Sequence, residues 1–151
     1  MTITLRRTHS GDPAFRTLVA ELDADLWRRY GELQAQYAPH NVIEALGTVV
    51  IALDGEAAVG CGCFKASLPD AVELKRVFVA PGARGRGVAT RVIGELERWA
   101  CELGFAVMQL ETGPDQPEAL ALYEKLGFTR IDAFGPYREL PASICMAKPL
   151  G

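Results

Sequence analysis

Residues 73–104 have the sequence ELKRVFVAPGARGRGVATRVIGELERWACELG. An apolar strand pattern leads through a loop rich in glycine and arginine into the pattern of a long amphipathic helix. The first turn of a helix has backbone N–H groups without intrahelical acceptors and carries partial positive charge, so it binds anions. Gly85 and Gly87 would let the backbone approach an anion closely. Arg84 and Arg86 could donate charge-assisted hydrogen bonds to phosphate oxygens, so this stretch predicts a phosphate-binding loop.

The composition favours one soluble domain over residues 1–151. The chain is 49% hydrophobic and 23% charged, and at this length it can bury about two-thirds of its unfolded surface. No apolar run approaches a membrane span, and the first residues lack the apolar core of a signal peptide, so we expect a cytoplasmic protein. The net charge of −3 and the pI near 5.4 argue against general binding to nucleic acid or to membrane surfaces, because both need basic faces.

The chain contains four cysteines: Cys61, Cys63, Cys101 and Cys145. Their spacing matches neither a CxxC metal site nor a secreted disulfide framework. Cys61 and Cys63 lie two apart in a strand-like run and so share one face. We therefore expect reduced packing residues and no metal site. His9 and His40 have no motif around them and are expected at the surface.

The first helix has a strong start signal. Asp12 and Pro13 predict an N-cap and a first-turn proline, and apolar residues then recur at helical spacing as far as Pro39, with Gly31 as a candidate break. The exposed positions of this helix carry a set of acidic residues: Glu21, Asp23, Asp25 and Glu32. This acidic face has two interpretations, a solvated helix surface or one wall of a site for a cationic substrate.

Seven segments have strand patterns: residues 2–7, 48–53, 57–65, 72–79, 105–111, 128–131 and 144–148. Turns at 54–55 and 67–71 predict an antiparallel meander before the phosphate-binding loop. The helix after the loop ends at Gly104, which is expected as a left-handed cap. Its predicted apolar face consists of Val88, Val92, Ile93, Leu96, Trp99, Ala100 and Leu103. The helix leads to another strand, the crossover that parallel pairing requires. A further helix begins at Pro117 and ends at Gly127. The predicted fold class is α/β (α+β), with a mixed, mainly antiparallel central sheet of six to seven strands flanked by about four helices.

Two common nucleotide sites can be tested against the loop. A P-loop needs Lys and then Ser or Thr after its last glycine, whereas Gly87 is followed by Val88 and Ala89. A dinucleotide-binding motif belongs to an N-terminal βαβ unit, whereas this loop follows a meander in the middle of the chain. Both interpretations fail, which leaves a pyrophosphate site after the fourth strand.

The loop resembles a signature of the GNAT superfamily of acyl-CoA-dependent N-acyltransferases. Arg84-x-x-Gly87-x-Ala89 is similar to the family's Q/R-x-x-G-x-G/A signature for the CoA pyrophosphate. The run ALALYEKLGF, residues 119–128, is similar to its second signature of helix, glycine cap and strand. The two stand in the family's order, and the resemblance covers essentially the whole chain. It implies the GNAT-like fold, with acetyl-CoA or another acyl-CoA as co-substrate and no metal.

The resemblance also implies site residues. The pyrophosphate would be held by Arg84, Gly85, Arg86, Gly87, Val88, Ala89 and Thr90. Backbone groups of Phe78 and Val79 would pair with the pantetheine arm. A backbone N–H in the same region could face the thioester carbonyl and lower the barrier by roughly 3 kcal/mol.

Glu73 and Tyr123 are the candidate catalytic residues. An alkyl amine has a pKa of about 10.4, so a base is useful, and Glu73 lies where several branches of the family place a catalytic glutamate. The alternative is a surface carboxylate paired with Lys75 or Arg76. Tyr123 matches the tyrosine that lies near the CoA sulfur in many members and could donate a hydrogen bond to the leaving thiolate. Its alternative is a core aromatic residue.

One position departs from the family pattern, because Gln116 stands where the family often has Asn. The loop 132–141, with Tyr137 and Arg138, could close over the substrate. The resemblance predicts an enzyme that acylates a primary amine, on a small molecule or a peptide, by direct attack in a ternary complex, as a monomer or a homodimer. The rivals are a non-catalytic acyl-CoA-binding module and a mononucleotide-binding regulator.

Overall fold

The computed structural model describes residues 2–37 and 45–151. Its strands and α-helices follow one another as β1 (Ile3–Thr8), α1 (Pro13–Tyr30), α2 (Gln34–Tyr37), β2 (Val49–Asp54), β3 (Ala57–Leu68), β4 (Ala71–Val79), α3 (Val88–Glu102), β5 (Val107–Thr112), α4 (Pro117–Lys125), β6 (Thr129–Ile131) and β7 (Ile144–Pro149). The predicted break at Gly31 is confirmed, because α1 ends one residue before it. The predicted helix end at Pro39 and the surface position of His40 lie outside the described residues.

The strands form one mixed sheet in the order β1-β2-β3-β4-β5-β7-β6. Neighbouring strands pair antiparallel except β4 and β5, which are parallel and are connected through α3. The meander followed by a crossover is therefore confirmed. The turn between β3 and β4 is tighter than predicted, because β3 extends to Leu68 and β4 begins at Ala71.

Helix α1 covers one face of the sheet. Its start is fixed by Asp12, whose side chain accepts a hydrogen bond of 2.9 Å from the Ala14 N–H, and by Pro13 in the first turn. One set of buried apolar residues joins the helix to this face: Phe15, Leu18, Val19 and Leu22 from α1, with Val49, Ile51, Cys61, Cys63 and Phe78 from the sheet. Cys61 and Cys63 are thus packing residues on one face, as predicted.

Helix α3 covers the opposite face. Its buried side is the predicted one: Val88, Val92, Ile93, Leu96 and Ala100. The prediction that Leu103 belongs to this side is wrong, because Leu103 is 54% exposed where the helix ends. Helix α4 has no fully buried residue, and Leu122, Tyr123 and Leu126 pack partly buried against the same core. Cys145 is buried, whereas Cys101 is exposed.

Strands β4 and β5 diverge halfway along their length. Their ladder covers only Ala71–Leu74 and Val107–Leu110, while β4 continues to pair with β3 as far as Val79. The β3–β4 register shifts just beyond this point, and Arg76 has a φ of 60°, in the left-handed region that non-glycine residues rarely adopt. A bulge of this kind bends a strand and increases its twist. The two parallel strands therefore form a fork that is open at their carboxyl ends.

Candidate active site

The fork opens into a cleft of about 780 Å³, a volume that includes space open to solvent. Its walls come from parts of the chain that are far apart in sequence: Leu22, Leu26 and Tyr30 from α1, Glu73 and Lys75 from β4, Glu111 from β5, Tyr123 from α4, and Tyr137 from the segment before β7. Both candidate catalytic residues, Glu73 and Tyr123, therefore face one cavity.

Glu73 is buried and has two polar neighbours within the described residues. Its side chain accepts a hydrogen bond of 2.6 Å from the Tyr137 hydroxyl at Oε2, and the same oxygen lies 3.6 Å from Lys75 Nζ. Arg76, the other partner considered from the sequence, instead pairs with Asp23 of α1 at 2.5 Å. The ion pair with Lys75 and a role as base are compatible, because an ionised carboxylate in a cleft can accept a proton.

Glu111 is a second cleft carboxylate that the sequence analysis did not single out. Burial, and then the negative charge of Glu73, raise the pKa of Glu111 to about 7, although a hydrogen bond with Ser143 and the charge of Lys75 oppose this shift. One signal could have found it. Glu111 falls at the carboxyl end of the strand that the α3 crossover places beside β4, so the two carboxylates had to share this end of the fork.

Tyr123 lies partly buried in the cleft wall. Its ring packs edge-to-face on Phe128, with 5.8 Å between the ring centroids. Burial, and secondarily the charge of Glu111, raise the pKa of Tyr123 to about 12. The phenol therefore keeps its proton at neutral pH. It can donate a hydrogen bond to a thiolate, whereas complete proton transfer to the thiolate is unfavourable, because the resulting thiol has a pKa of only about 8.5.

The phosphate-binding loop lies at the N-terminus of α3. Gly85 and Gly87 have φ angles of 80° and 75°, a left-handed conformation that favours glycine, and a Cβ on either would meet no atom within 4 Å. Both glycines, Arg84 and Arg86 are exposed. The loop therefore presents an exposed backbone next to two cations.

The other residues predicted to contact CoA lie in the first turn of α3 and on β4. Val88 is only 2% exposed and packs in the core, so it can reach an anion only through its N–H. Ala89 and Thr90 follow it in the first helical turn. Phe78 and Val79 lie on the arm of β4 that has left β5, and the Val79 carbonyl accepts a hydrogen bond of 3.0 Å from Arg84 Nε. That carbonyl can accept a second hydrogen bond, because a carbonyl oxygen has two lone pairs.

These features fit an acyl-CoA. The loop supplies N–H groups and two arginines for the pyrophosphate, and the diverged arm of β4 has a backbone edge that β5 does not cover. The arm leads from the cleft towards the loop, because both lie beyond Leu74 on the same stretch of chain. An extended arm such as pantetheine can pair with a strand edge of this kind.

A comparison with models of known protein families shows to which family the chain belongs. A model of the acetyltransferase (GNAT) family matches residues 13–128. The chain belongs to the GNAT family. It is 33% identical over 154 residues to an IAA acetyltransferase from Azospirillum brasilense, and the match covers 98% of both chains.

Solved structures agree with this membership. A Klebsiella pneumoniae protein named for acyl-CoA N-acyltransferase activity superposes with a TM-score of 0.78 at 34% identity, covering 99% of this chain and 97% of that one. The PaiA N-acetyltransferase of Thermoplasma acidophilum, solved with coenzyme A, superposes with a TM-score of 0.68 at 16% identity and covers 99% of both chains. The second likeness shows the fold alone. Together with the family match, the first identifies this GNAT protein as an acyltransferase enzyme.

Gln116 is the GNAT position where this chain departs from the usual Asn. Its Oε1 accepts hydrogen bonds from the Tyr30 hydroxyl at 3.2 Å, Thr112 Oγ1 at 3.3 Å and the Gly113 N–H at 3.4 Å. The Tyr30 hydroxyl in turn accepts from the Asp115 N–H at 3.2 Å. Gln116 therefore ties the end of α1 to the β5–α4 loop at the rim of the cleft.

The acidic face of α1 is largely neutralised where it approaches the GNAT cleft. Asp23 pairs with Arg76, and Asp25 pairs with Arg28 and Arg29 at 3.1 Å each. These pairs favour a structural interpretation for that part of the face. No group of His, Cys, Asp and Glu in residues 2–37 and 45–151 is arranged to hold a metal ion, and no helix described there is long and apolar enough to cross a membrane.

Proposed function

We propose that this GNAT enzyme transfers an acetyl or related acyl group from acyl-CoA to a primary amine, carried by a small molecule or a peptide, by direct attack in a ternary complex. One observation carries the proposal. The fork between β4 and β5 brings Glu73 and Tyr123 to one cleft, and the open arm of β4 connects that cleft to the phosphate-binding loop. We also expect the 151 residues to work as a single domain in the cytoplasm.

The loop and the arm would bind the co-substrate. Backbone N–H groups of residues 87–90 and the guanidinium groups of Arg84 and Arg86 would hold the pyrophosphate. Phe78 and Val79 would pair with the pantetheine arm through their backbone groups. An N–H on the open side of β4 would donate to the thioester oxygen, which gains negative charge as the amine attacks.

The chemistry needs one proton acceptor and one hydrogen-bond donor. Glu73 would accept the proton that the ammonium loses, directly or through water, so that the nitrogen lone pair can form the new N–C bond. The C–S bond then breaks, and the electron pair leaves on the sulfur. The nitrogen loses its second proton as the intermediate collapses, and this proton reaches the sulfur through water, while Glu73 returns its own proton to solvent. Until then, Tyr123 would donate a hydrogen bond to the thiolate. The proposal uses no metal.

The test is product analysis with the purified protein. Acetyl-CoA is incubated with a panel of polyamines, amino acids, amino sugars and peptides with unblocked N-termini, and acylated products are found by mass spectrometry while released thiol is measured in parallel. A reaction without amine corrects for thioester hydrolysis. We expect amine-dependent thiol release with a matching mass increase on one class of acceptor. Absence of acylated product across the panel, with propionyl-CoA and longer acyl-CoAs also inactive, contradicts the proposal.

Two binding measurements distinguish the rivals. Calorimetric binding of CoA without turnover would support the non-catalytic acyl-CoA-binding module. Tighter binding of ATP than of CoA would support the mononucleotide-binding regulator. The proposed enzyme should bind CoA more tightly than ATP, because only CoA can also occupy the open arm of β4.

A further inference from the structure

Tyr137 connects the segment before β7 to the cleft. It lies in the 3₁₀ helix Gly135–Glu139, it is only 2% exposed, and its hydroxyl donates a hydrogen bond of 2.6 Å to Glu73 Oε2 across 64 residues of sequence. This distance is typical of a strong O–H···O⁻ hydrogen bond to an ionised carboxylate. The sequence suggested a loop that closes over the substrate, whereas the buried tyrosine points inward to Glu73. Its neighbour Arg138 is exposed.

The surroundings of Tyr137 fix its position. Its ring packs edge-to-face on Phe134 with 5.4 Å between centroids. Its backbone N–H donates to the Phe134 carbonyl at 3.1 Å, and its carbonyl accepts from the Leu140 N–H at 3.1 Å. A side chain held at the ring and at both backbone groups has few alternative rotamers. The hydroxyl is therefore held in place and can in turn position the carboxylate of Glu73.

Lys75 extends the contact into a chain of hydrogen bonds. Lys75 Nζ donates to the Tyr137 hydroxyl at 3.4 Å, and the hydroxyl donates its own proton to Glu73. Burial lowers the pKa of Lys75, while the charge of Glu73 opposes that shift. Each donor in this chain of hydrogen bonds therefore points towards the carboxylate of Glu73.

The second oxygen of Glu73 has a different environment. Both polar contacts described for this side chain are at Oε2. Within the described residues, no buried side-chain oxygen or nitrogen lacks a hydrogen-bond partner, so Oε1 is not sealed from the cleft that Glu73 lines. One oxygen is thus held and the other is accessible.

We infer that Tyr137 is a positioning residue, which holds Glu73 by Oε2 so that Oε1 faces the acceptor amine. The inference rests on the proposed function, because it assigns Glu73 the role of base. In the reaction, Oε1 takes the amine proton while Oε2 keeps its hydrogen bond to the tyrosine. The acceptor must therefore approach on the side of the cleft away from the segment before β7.

Tyr137→Phe tests the inference because it removes one oxygen and leaves the ring. We expect kcat to fall about tenfold, the effect of losing a hydrogen bond to a charged group, while the KM for acyl-CoA stays within about twofold. A general loss of structure would raise the KM for acyl-CoA as well, so the split between kcat and KM distinguishes positioning of the carboxylate from a packing role. Wild-type kcat would overturn the inference, and so would a KM for acyl-CoA that rises as much as kcat falls.

Phe134→Leu is the matched control. It weakens the ring packing of Tyr137 and keeps the hydroxyl, so we expect a lower Tm and a kcat within about twofold of the wild type. If Phe134→Leu lowers kcat as far as Tyr137→Phe does, packing alone explains the effect and the inference fails.

A second measurement does not depend on turnover. In protein labelled with ¹³C at glutamate side-chain carboxyl carbons, the Glu73 resonance is assigned by its loss in Glu73→Gln and then compared between variants at one pH. We expect it to move in Tyr137→Phe and to keep its wild-type position in Phe134→Leu, because only the first variant removes the donor at Oε2. An unmoved resonance in Tyr137→Phe would overturn the inference even in an active enzyme. Lack of turnover with every amine would instead overturn the proposed function, and the resonance would still report on the Tyr137 contact.

Discussion

The phosphate-binding loop and the cleft are built in opposite ways. The loop consists of consecutive residues, 84–90, whose conformation depends on two glycines with positive φ and on the helix that follows. The cleft joins side chains from separate parts of the chain, among them Glu73, Glu111, Tyr123 and Tyr137. Local sequence thus determines where the co-substrate would bind, and the sheet topology determines where the chemistry would occur. Substitutions in the loop should change the KM for acyl-CoA, and substitutions in the cleft should change kcat.

Glu73→Gln should give the largest effect and is the strongest test of this division. Removing a general base costs about 10²- to 10⁴-fold in kcat. Glutamine keeps the shape of the side chain and can still accept the hydrogen bond of Tyr137, so the KM for acyl-CoA should change less than about threefold. Steady-state kinetics measure both parameters. A variant with wild-type kcat and an unchanged pH–rate profile would show that Glu73 is not the base. A KM for acyl-CoA that rises by as large a factor as kcat falls would show that the loop and the cleft do not act separately.

Glu111→Gln tests how much the buried carboxylate of Glu111 lowers the free energy of unfolding when it is ionised. The pKa of Glu111 is raised from 4.5 to about 7, so between these values the folded state binds more protons at this site than the unfolded state does. Its contribution to stability is therefore largest below the unfolded pKa and is lost as pH rises through the folded one, in total by about 3 kcal/mol. Glutamine does not titrate.

Urea unfolding at about pH 5 and about pH 8 tests this linkage. The wild type should lose up to about 3 kcal/mol more unfolding free energy than Glu111→Gln between the two pH values. Equal m-values for the two proteins serve as the control for a changed denatured state. If the unfolding free energies of the two proteins change equally with pH, ionisation of Glu111 does not destabilise the folded state.

The loop and the fold were predictable because their signals are local. Gly104 and Gly127 were expected as left-handed caps and have φ angles of 91° and 97°. Apolar periodicity predicted the strands and helices, and the crossover predicted the single parallel pair. The exposure of Leu103 was missed because periodicity does not show where a helix extends past the sheet that it covers.

The cleft was only partly predictable because it depends on contacts between distant residues. Nothing in the sequence around Arg76 shows that this residue takes a positive φ, which accompanies the divergence of β4 from β5. The hydrogen bond between Tyr137 and Glu73 joins two positions with no shared pattern. The pKa of Glu111 depends on burial and on Glu73, which only the assembled sheet brings together.

Gly87→Val is the matching test on the loop. Gly87 has a φ of 75°, and a residue with a Cβ costs about 1–2 kcal/mol in the left-handed region. The first turn of α3 should therefore shift, and the KM for acyl-CoA should rise about tenfold with kcat within about threefold of the wild type.

Gly82→Ala is the control in the same connection. Gly82 does not have a left-handed φ, and its Cβ would meet no atom within 4 Å. It should leave both kinetic parameters unchanged, and calorimetry with CoA should give the same affinity as the wild type. A wild-type KM for Gly87→Val would show that the loop does not bind the co-substrate.

Tyr123→Phe should have the smallest effect and decides between its two interpretations. The substitution keeps the ring that packs on Phe128 and removes only the hydroxyl. Loss of one hydrogen bond to the developing thiolate should lower kcat by about three- to tenfold.

The pKa of Tyr123 is raised to about 12, so the phenol stays protonated from about pH 6 to 9. The ratio of the wild-type and variant rates should therefore not change across that range. A ratio that varies with pH would mean that Tyr123 gives up its proton in the rate-limiting step. Unchanged kcat with a lower Tm would make it a packing residue, and the chemistry of the cleft would then depend on its carboxylates alone.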